Sequence, residues 1–175
     1  HLEVVGLLLN DELVNPAAMD NAAIRLASEN GHQEVVGLLL NDARVDPAAM
    51  ANYAIRYASE NGHLEVVRLL LNDERVDPAD DDNYAIRYAS ENGHHEVVRL
   101  LLNDARVDPA EHGNAAIRKA SENGHHEVVR LLLNDARVNP TTRHNRAITY
   151  ASENGHLEVV RLLLNDARVD PTDDD

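Results

Sequence analysis

The stretch ASENGHLEVVRLLLNDARVDP, residues 151–171, decides the fold, because closely similar letters occur four times before it. Its Gly-His pair marks a fixed period of 31 residues, and His1 opens the chain in the same phase. Residues 1–175 are therefore predicted to form a single repeat array: a partial unit 1–16, full units 17–47, 48–78, 79–109, 110–140 and 141–171, and a tail 172–175. Such a period is typical of a solenoid, in which each unit packs only against its neighbours.

Composition favours helices and excludes two classes of partner. The 175 residues include no Cys, Trp or Phe and only 5 Tyr, so the core must consist of Leu, Val, Ile and Ala, which favours an all-α fold. A formal net charge of -15 repels phosphate backbones and anionic lipids, so we expect neither nucleic acid nor a membrane as partner. The absence of cysteine fits a cytoplasmic location but fixes no compartment.

The first half of each unit is predicted to form a short helix, called helix A. In the first full unit it begins at Asn21, whose side chain is expected to cap the first turn. It ends at Gly31, which can adopt the left-handed conformation that terminates a helix. Three residues share the inner face at helical spacing and are predicted to be buried: Ile24, Ala27 and Ser28.

The second half of the unit is predicted to form helix B, from His32 to about Asn41. Its apolar residues cover more than half of the circumference, so this helix needs neighbours on both sides. The connector that follows contains Val45, an expected inward anchor, and Pro47, which prevents helix at the preceding residue.

The letters NGHLEVVRLLLNDARVD resemble the second helix and following loop of the ankyrin repeat, and the match recurs in phase through all the units. The period is shorter than the family's, which is about 33 residues. The family's Thr-Pro-Leu-His opening is replaced, for example by Tyr-Ala-Ile-Arg at 53–56. We expect five asparagines to take over the capping of helix A: Asn21, Asn52, Asn83, Asn114 and Asn145.

The resemblance implies stacked helix pairs with a concave face formed by helix A and the loop tips. Because family members bind other proteins there and are not catalytic, it also implies a protein partner, no enzymatic activity and no cofactor. The units differ mainly on that face, where the candidate partner-binding residues are Met19, Asp20, Leu26, Met50, Tyr53, Tyr57, Asp80, Asp81, Asp82, Tyr84, Tyr88, Glu111, His112, Lys119, Arg143, His144, Arg146 and Tyr150. This surface changes from apolar and aromatic, through acidic, to basic. The alternative explanation of the variation is drift after duplication.

Several polar patterns favour structural roles over chemical ones. The Gly-His histidines are expected to hold the turn between the two helices through hydrogen bonds to backbone. Adjacent histidines point about 100° apart on a helix, so no metal site is predicted, although His95 and His126 of stacked units remain an open alternative for weak zinc or nickel binding. The Asp80–Asp82 and Asp173–Asp175 runs are expected to be solvated charge. Four Arg–Glu pairs at i, i+4, beginning with Arg25 and Glu29, are expected to neutralise each other.

The ends of the chain leave two alternatives to a dedicated binding module. The first and last copies of helix B are as apolar as the internal copies, whereas soluble arrays normally carry polar capping units. We therefore expect a fragment of a longer array, in which the chain could serve as a structural spacer. The other alternative is an engineered or self-assembling array that associates end to end through its uncapped terminal units.

Overall fold

The computed structural model describes residues 2–169, which fold entirely into helices and connecting turns, with no strand in that range. The all-α prediction is confirmed. The expectations for His1, for Asp173–Asp175 and for the tail 172–175 lie outside the described residues. The helices are α1 (Leu2–Leu9), α2 (Ala18–Glu29), α3 (Gln33–Leu40), α4 (Ala49–Glu60), α5 (Leu64–Leu71), α6 (Asp80–Glu91), α7 (His95–Leu102), α8 (Glu111–Glu122), α9 (His126–Leu133), α10 (Thr142–Glu153) and α11 (Leu157–Leu164).

The helices form two layers that follow the predicted alternation of helix A and helix B. The long helices α2, α4, α6, α8 and α10 have 12 residues each and pack side by side in order. The short helices α1, α3, α5, α7, α9 and α11 have 8 residues each and form the second layer. Each long helix also packs against the short helix that follows it, so the joint between neighbouring units is repeated along the array.

The core lies between the layers and uses the residues that the pattern predicted. Ile24, Ala27 and Ser28 are buried on the inner face of α2, and Val36 and Leu39 are buried on α3. Ile55 and Leu70 are 0% exposed in the next unit. Val45 is 2% exposed, so its role as the inward anchor of the connector is confirmed. Fully burying one such aliphatic side chain stabilises the fold by about 1.5–3 kcal/mol, which explains why these positions do not vary between units.

The Gly-His pair joins neighbouring units. Gly31 has φ +74°, which confirms the predicted left-handed end of α2. A Cβ placed on Gly31 would lie 2.6 Å from Nδ1 of His63, the histidine of the following unit. His63 Nε2 in turn donates to the carbonyl oxygen of Glu29 at 2.9 Å. The histidines therefore do bond to backbone, as expected, but to the preceding unit and not to their own turn.

The connectors carry a second link between units, which sequence reasoning missed. Arg75 Nη1 donates to the carbonyl oxygen of Val45 in the preceding unit at 2.8 Å. Arg75 Nε and Nη2 donate to the carboxylate of Asp73 at 2.9 and 2.6 Å, which orients the guanidinium. This hydrogen bonding lowers the pKa of Asp73. The same arrangement recurs at Arg44, Arg106, Arg137 and Arg168. The Asp-x-Arg spacing in five successive connectors was the available signal.

The asparagines at the unit starts do not cap their helices, so that prediction is wrong. The residue before α2 is Ala17, and no side chain caps the helix there. Asn21 lies inside α2. Its Oδ1 accepts a hydrogen bond from the backbone N–H of Asp46, in the following connector, at 2.8 Å. Asn52, Asn83 and Asn114 make the equivalent bond at 2.7–2.8 Å. The side-chain oxygen that was expected to cap the first turn of the helix therefore joins two units instead.

Candidate protein-binding face

Each long helix contains three consecutive residues in the left-handed conformation near its start, and we call these segments the left-handed turns. They are 19–21, 50–52, 81–83, 112–114 and 143–145. In the first turn the φ angles are 54°, 55° and 59°. The left-handed conformation costs about 1–2 kcal/mol for each residue that carries a Cβ. Because this cost recurs in five turns, other contacts must offset it and hold each turn in place.

Arginine side chains supply a pair of such contacts in three of the five turns. Arg25 Nε donates to the carbonyl oxygen of Asp20 at 2.8 Å, and its Nη2 donates to that of Met19 at 3.0 Å. Arg87 and Arg118 make the equivalent pairs of bonds at 2.8–3.1 Å. No ion pair joins Arg25 to Glu29, or its three copies to theirs, in the described chain. The predicted i, i+4 neutralisation is therefore wrong, because backbone carbonyls compete for the guanidinium.

Four tyrosines form a continuous ladder across α4 and α6. The rings of Tyr53 and Tyr57 stack with centroids 4.0 Å apart, as do those of Tyr84 and Tyr88. Tyr57 and Tyr84 link the two pairs at 5.7 Å. The guanidinium of Arg56 lies 5.7 Å from the Tyr57 centroid and 5.0 Å from the Tyr84 centroid. Cation–π and stacking contacts of this kind each contribute about 0.5–1.5 kcal/mol, so the ladder is a rigid part of the surface.

Hydrogen bonds from the tyrosine hydroxyls tie the ladder to the preceding units. Tyr53 donates to Glu29 at 2.9 Å, and Tyr84 donates to Glu60 at 2.5 Å. Burial, followed by the bond to Glu60, raises the pKa of Tyr84. In the next unit Lys119, which occupies the ring position of Tyr88, pairs with Glu91. These glutamates are thus engaged by the following unit and not by the arginine four residues before them.

The exposed side chains of the face change in character along the array. Met19 is 82% exposed, and Leu26 and Met50 are each 54% exposed, which makes the first two units apolar. In the third unit the acidic residues are partly engaged: Asp81 pairs with Arg56, and Asp82 accepts from His112 Nε2 at 3.0 Å. The fifth unit carries two exposed arginines, Arg143 and Arg146, whereas Arg118 and Lys119 of the fourth unit are half-buried.

The candidate residues all lie on the long helices, which form one of the two layers. The residues of the left-handed turns among them are Met19, Asp20, Met50, Asp81, Asp82, His112, Arg143 and His144. Asp80 and Glu111 precede those turns, and their carboxylates accept from the backbone N–H of the next residue at 2.7 and 3.1 Å. Leu26, Tyr53, Tyr57, Tyr84, Tyr88, Lys119, Arg146 and Tyr150 lie on the right-handed part. We call this surface, the left-handed turns and the outward residues of the long helices, the variable face.

The described part of the chain offers neither a metal centre nor a membrane-spanning helix. Between residues 2 and 169, no three His, Cys, Asp or Glu side chains come together in a way that could hold a metal ion. His95 and His126, the open alternative for zinc, each lie beside the glutamate that follows them, at 3.4 and 3.5 Å. None of the described helices is long and apolar enough to cross a membrane.

Comparison with known proteins connects this architecture to a family. A family model of ankyrin repeats, comprising three copies, matches residues 42–111 and 88–175. The search of curated proteins found no match. Among solved structures, a chain in the crystal structure of the yeast ribosomal protein Rps3 in complex with its chaperone Yar1 is 24% identical, with a TM-score of 0.40, over 86% of this chain and 94% of that chain. Ankyrin repeats are generally protein-interaction modules without enzymatic activity. The family model covers well over half of the residues of this chain, so the chain belongs to the ankyrin-repeat family.

Proposed function

We propose that the chain binds a protein partner through the variable face. The observation that carries the proposal is where the units differ from one another. The buried aliphatic positions represented by Ile24, Val36, Leu39 and Val45 are the same in every full unit, whereas the left-handed turns contain Met-Asp, Met-Ala, Asp-Asp, His-Gly and Arg-His before the asparagine. The single repeat array 1–175 is part of the same proposal, since the face extends over all five full units.

Exposure alone does not account for this distribution. If the units had drifted wherever solvent permits, the outward positions of the short helices would all vary as well, but only some of them do: the first position reads Gln33, Leu64, His95, His126 and Leu157. Yet the glutamate at 34, 65, 96, 127 and 158 is the same in every unit, although Glu65 and Glu96 have side chains 57% and 50% exposed. Most of the variable positions lie on the long-helix side, which is the pattern expected where individual contacts to a ligand have been adjusted.

The geometry of the variable face also suits binding. The stacked tyrosines and the arginines that lie against them are held before a partner arrives, so little conformational entropy is lost on association. Exposed methionines at one end provide adaptable apolar contact area. Together they offer a rigid aromatic centre with an adaptable edge.

The test is to compare the proteins captured from native lysate by the wild-type chain and by two variants. The face variant carries Met50→Ala, Asp82→Ala and His112→Ala, which leave the tyrosine ladder intact. The matched control carries Glu65→Ala, Arg68→Ala and Arg99→Ala on the exposed side of α5 and α7. Circular dichroism must first show that all three chains have the same helix content.

A partner captured by the wild type and the control, and lost by the face variant, is the expected result. If both variants retain every captured protein, or if both lose the same proteins, the variable face is not the binding surface. Capture of no protein by the wild-type chain would favour the spacer alternative.

A further inference from the structure

A cluster of three arginines, which we call the basic patch, lies at the α8–α10 end of the variable face. It consists of Arg118, Arg143 and Arg146. The chain as a whole is acidic, with 16 Lys and Arg against 31 Asp and Glu. Connector arginines pair with aspartate, and short-helix arginines pair with glutamate. Within residues 2–169, by contrast, no carboxylate lies within ion-pair distance of the three patch arginines.

Gly113 brings two members of the basic patch together. Arg118 Nε donates to the carbonyl oxygen of Gly113 at 3.0 Å. From the next unit, Arg143 Nε lies 2.8 Å from the position that a Cβ would take on Gly113. The other four units carry Asp, Ala, Asp and His at this position, so glycine makes room for the arginine only here. The third member, Arg146, donates to the Tyr150 hydroxyl, and its guanidinium lies 5.4 Å from the centroid of that ring.

The electrostatic environment of the basic patch differs from that of the other arginines. Burial, together with the positive charges of Arg143 and Arg146, lowers the pKa of Arg118. The pKa of Arg75 is raised instead, because Asp73 accepts its hydrogen bonds. Three guanidinium groups that repel one another are stabilised by an anion placed between them.

We propose that the basic patch binds the carboxylates of an acidic segment of the protein partner. This inference rests on the proposed function and adds the chemistry and position of one part of the ligand. Guanidinium groups present a planar fork that matches carboxylate geometry and allows paired hydrogen bonds. Asp80–Asp82 on α6 repel such a segment, so it lies toward α10 and its orientation on the face is fixed. The net charge of -15 disfavours a nucleic-acid backbone as the source of the anion.

The experiment measures binding of fluorescein-labelled peptides to the full chain by fluorescence anisotropy. The probes are octaglutamate, octaglutamine and an octapeptide in which phosphoserine replaces every second glutamate. The test variant is Arg143→Gln with Arg146→Gln, which keeps Arg118 and its bonds to the left-handed turn. The matched control is Arg99→Gln with Arg130→Gln, which removes the same charge from the exposed side of α7 and α9.

The wild type and the control are expected to bind octaglutamate in preference to octaglutamine, and the test variant should bind it about tenfold more weakly, since each exposed pair contributes up to about 1 kcal/mol. Absence of octaglutamate binding, or equal weakening in both variants, overturns the inference. Binding of the phosphoserine peptide alone overturns the assignment to carboxylates. If the face variant described above loses a captured partner that the basic-patch variant retains, the proposed function holds and only the acidic ligand is wrong.

Discussion

Replacing Ala51 with glycine tests the left-handed turns directly, because it should stabilise the protein. Ala51 lies in the middle of the turn 50–52 with φ 55° and ψ 56°, and its methyl group is exposed. Removing the methyl therefore loses no packing, while it removes the steric cost of the left-handed conformation. Gly113 already occupies the equivalent position two units later.

The magnitude follows from two opposing effects. The left-handed conformation costs a residue with a Cβ about 1–2 kcal/mol. Glycine gives back about 0.5–1 kcal/mol, because it increases the conformational entropy of the unfolded chain. We expect Ala51→Gly to raise the free energy of unfolding by about 0.5–1 kcal/mol, the difference between these two terms.

The matched control is Ala23→Gly on α2. Ala23 is also exposed, but it lies in the right-handed part of its helix, where glycine costs about 0.5–1 kcal/mol. Urea denaturation followed by circular dichroism compares both variants with the wild type at one pH. Opposite signs are expected. If Ala51→Gly destabilises the chain as much as Ala23→Gly does, residue 51 is not left-handed in solution, and the described start of the long helices is wrong.

Three further predictions concern the joints and the ends. Asp73→Asn should reduce the loss of stability at acid pH. The folded pKa of Asp73 lies below the unfolded value of 3.8, so the contribution of Asp73 to the free energy of unfolding is complete above about pH 4 and is lost as the pH falls below that value. Urea midpoints of the variant and the wild type between about pH 6 and pH 2 measure this difference. Gly62→Ala should lower the free energy of unfolding by about 2 kcal/mol, because the added Cβ would lie 2.5 Å from His94 Nδ1. Gly155 has φ +73° and no heavy atom of the described residues within 4 Å of such a Cβ, so Gly155→Ala should cost only about 1 kcal/mol. Equal losses in the two variants would refute the contact between Gly62 and His94. If the array associates end to end, sedimentation velocity should find larger species as the protein concentration rises. Leu7→Lys, at a side chain that is 72% exposed on α1, should abolish these larger species. A monomer at every concentration would contradict end-to-end association.

The positions of the helices and their buried faces could be predicted because they depend on periodicity and on near neighbours in sequence. Gly31 and Val45 have the expected roles, since a left-handed helix end and an inward anchor are local features. The left-handed turns could not be predicted, because Met19 and Asp20 carry no local signal for that conformation. In the first unit it is held by Arg25, whose guanidinium returns to the turn from five and six residues further along the chain.

The errors at the candidate face have the same physical origin. Asn21 was expected to cap its own helix, but its side chain bonds to a connector 25 residues away. Glu29 was expected to pair with Arg25, but it accepts from Tyr53, 24 residues away. In a repeat array the neighbouring unit is as close as the next helical turn. Pairing within a helix therefore competes with contacts to the next unit, and the sequence of one unit alone does not reveal those contacts.

Hydrogen–deuterium exchange of the chain, alone and saturated with a partner captured by the wild type, tests the central claim most directly. If the variable face binds the partner, the partner should slow exchange at the left-handed turns and leave the exposed side of α5, α7 and α9 unchanged. Slowed exchange confined to those short helices, with the left-handed turns unaffected, would contradict it.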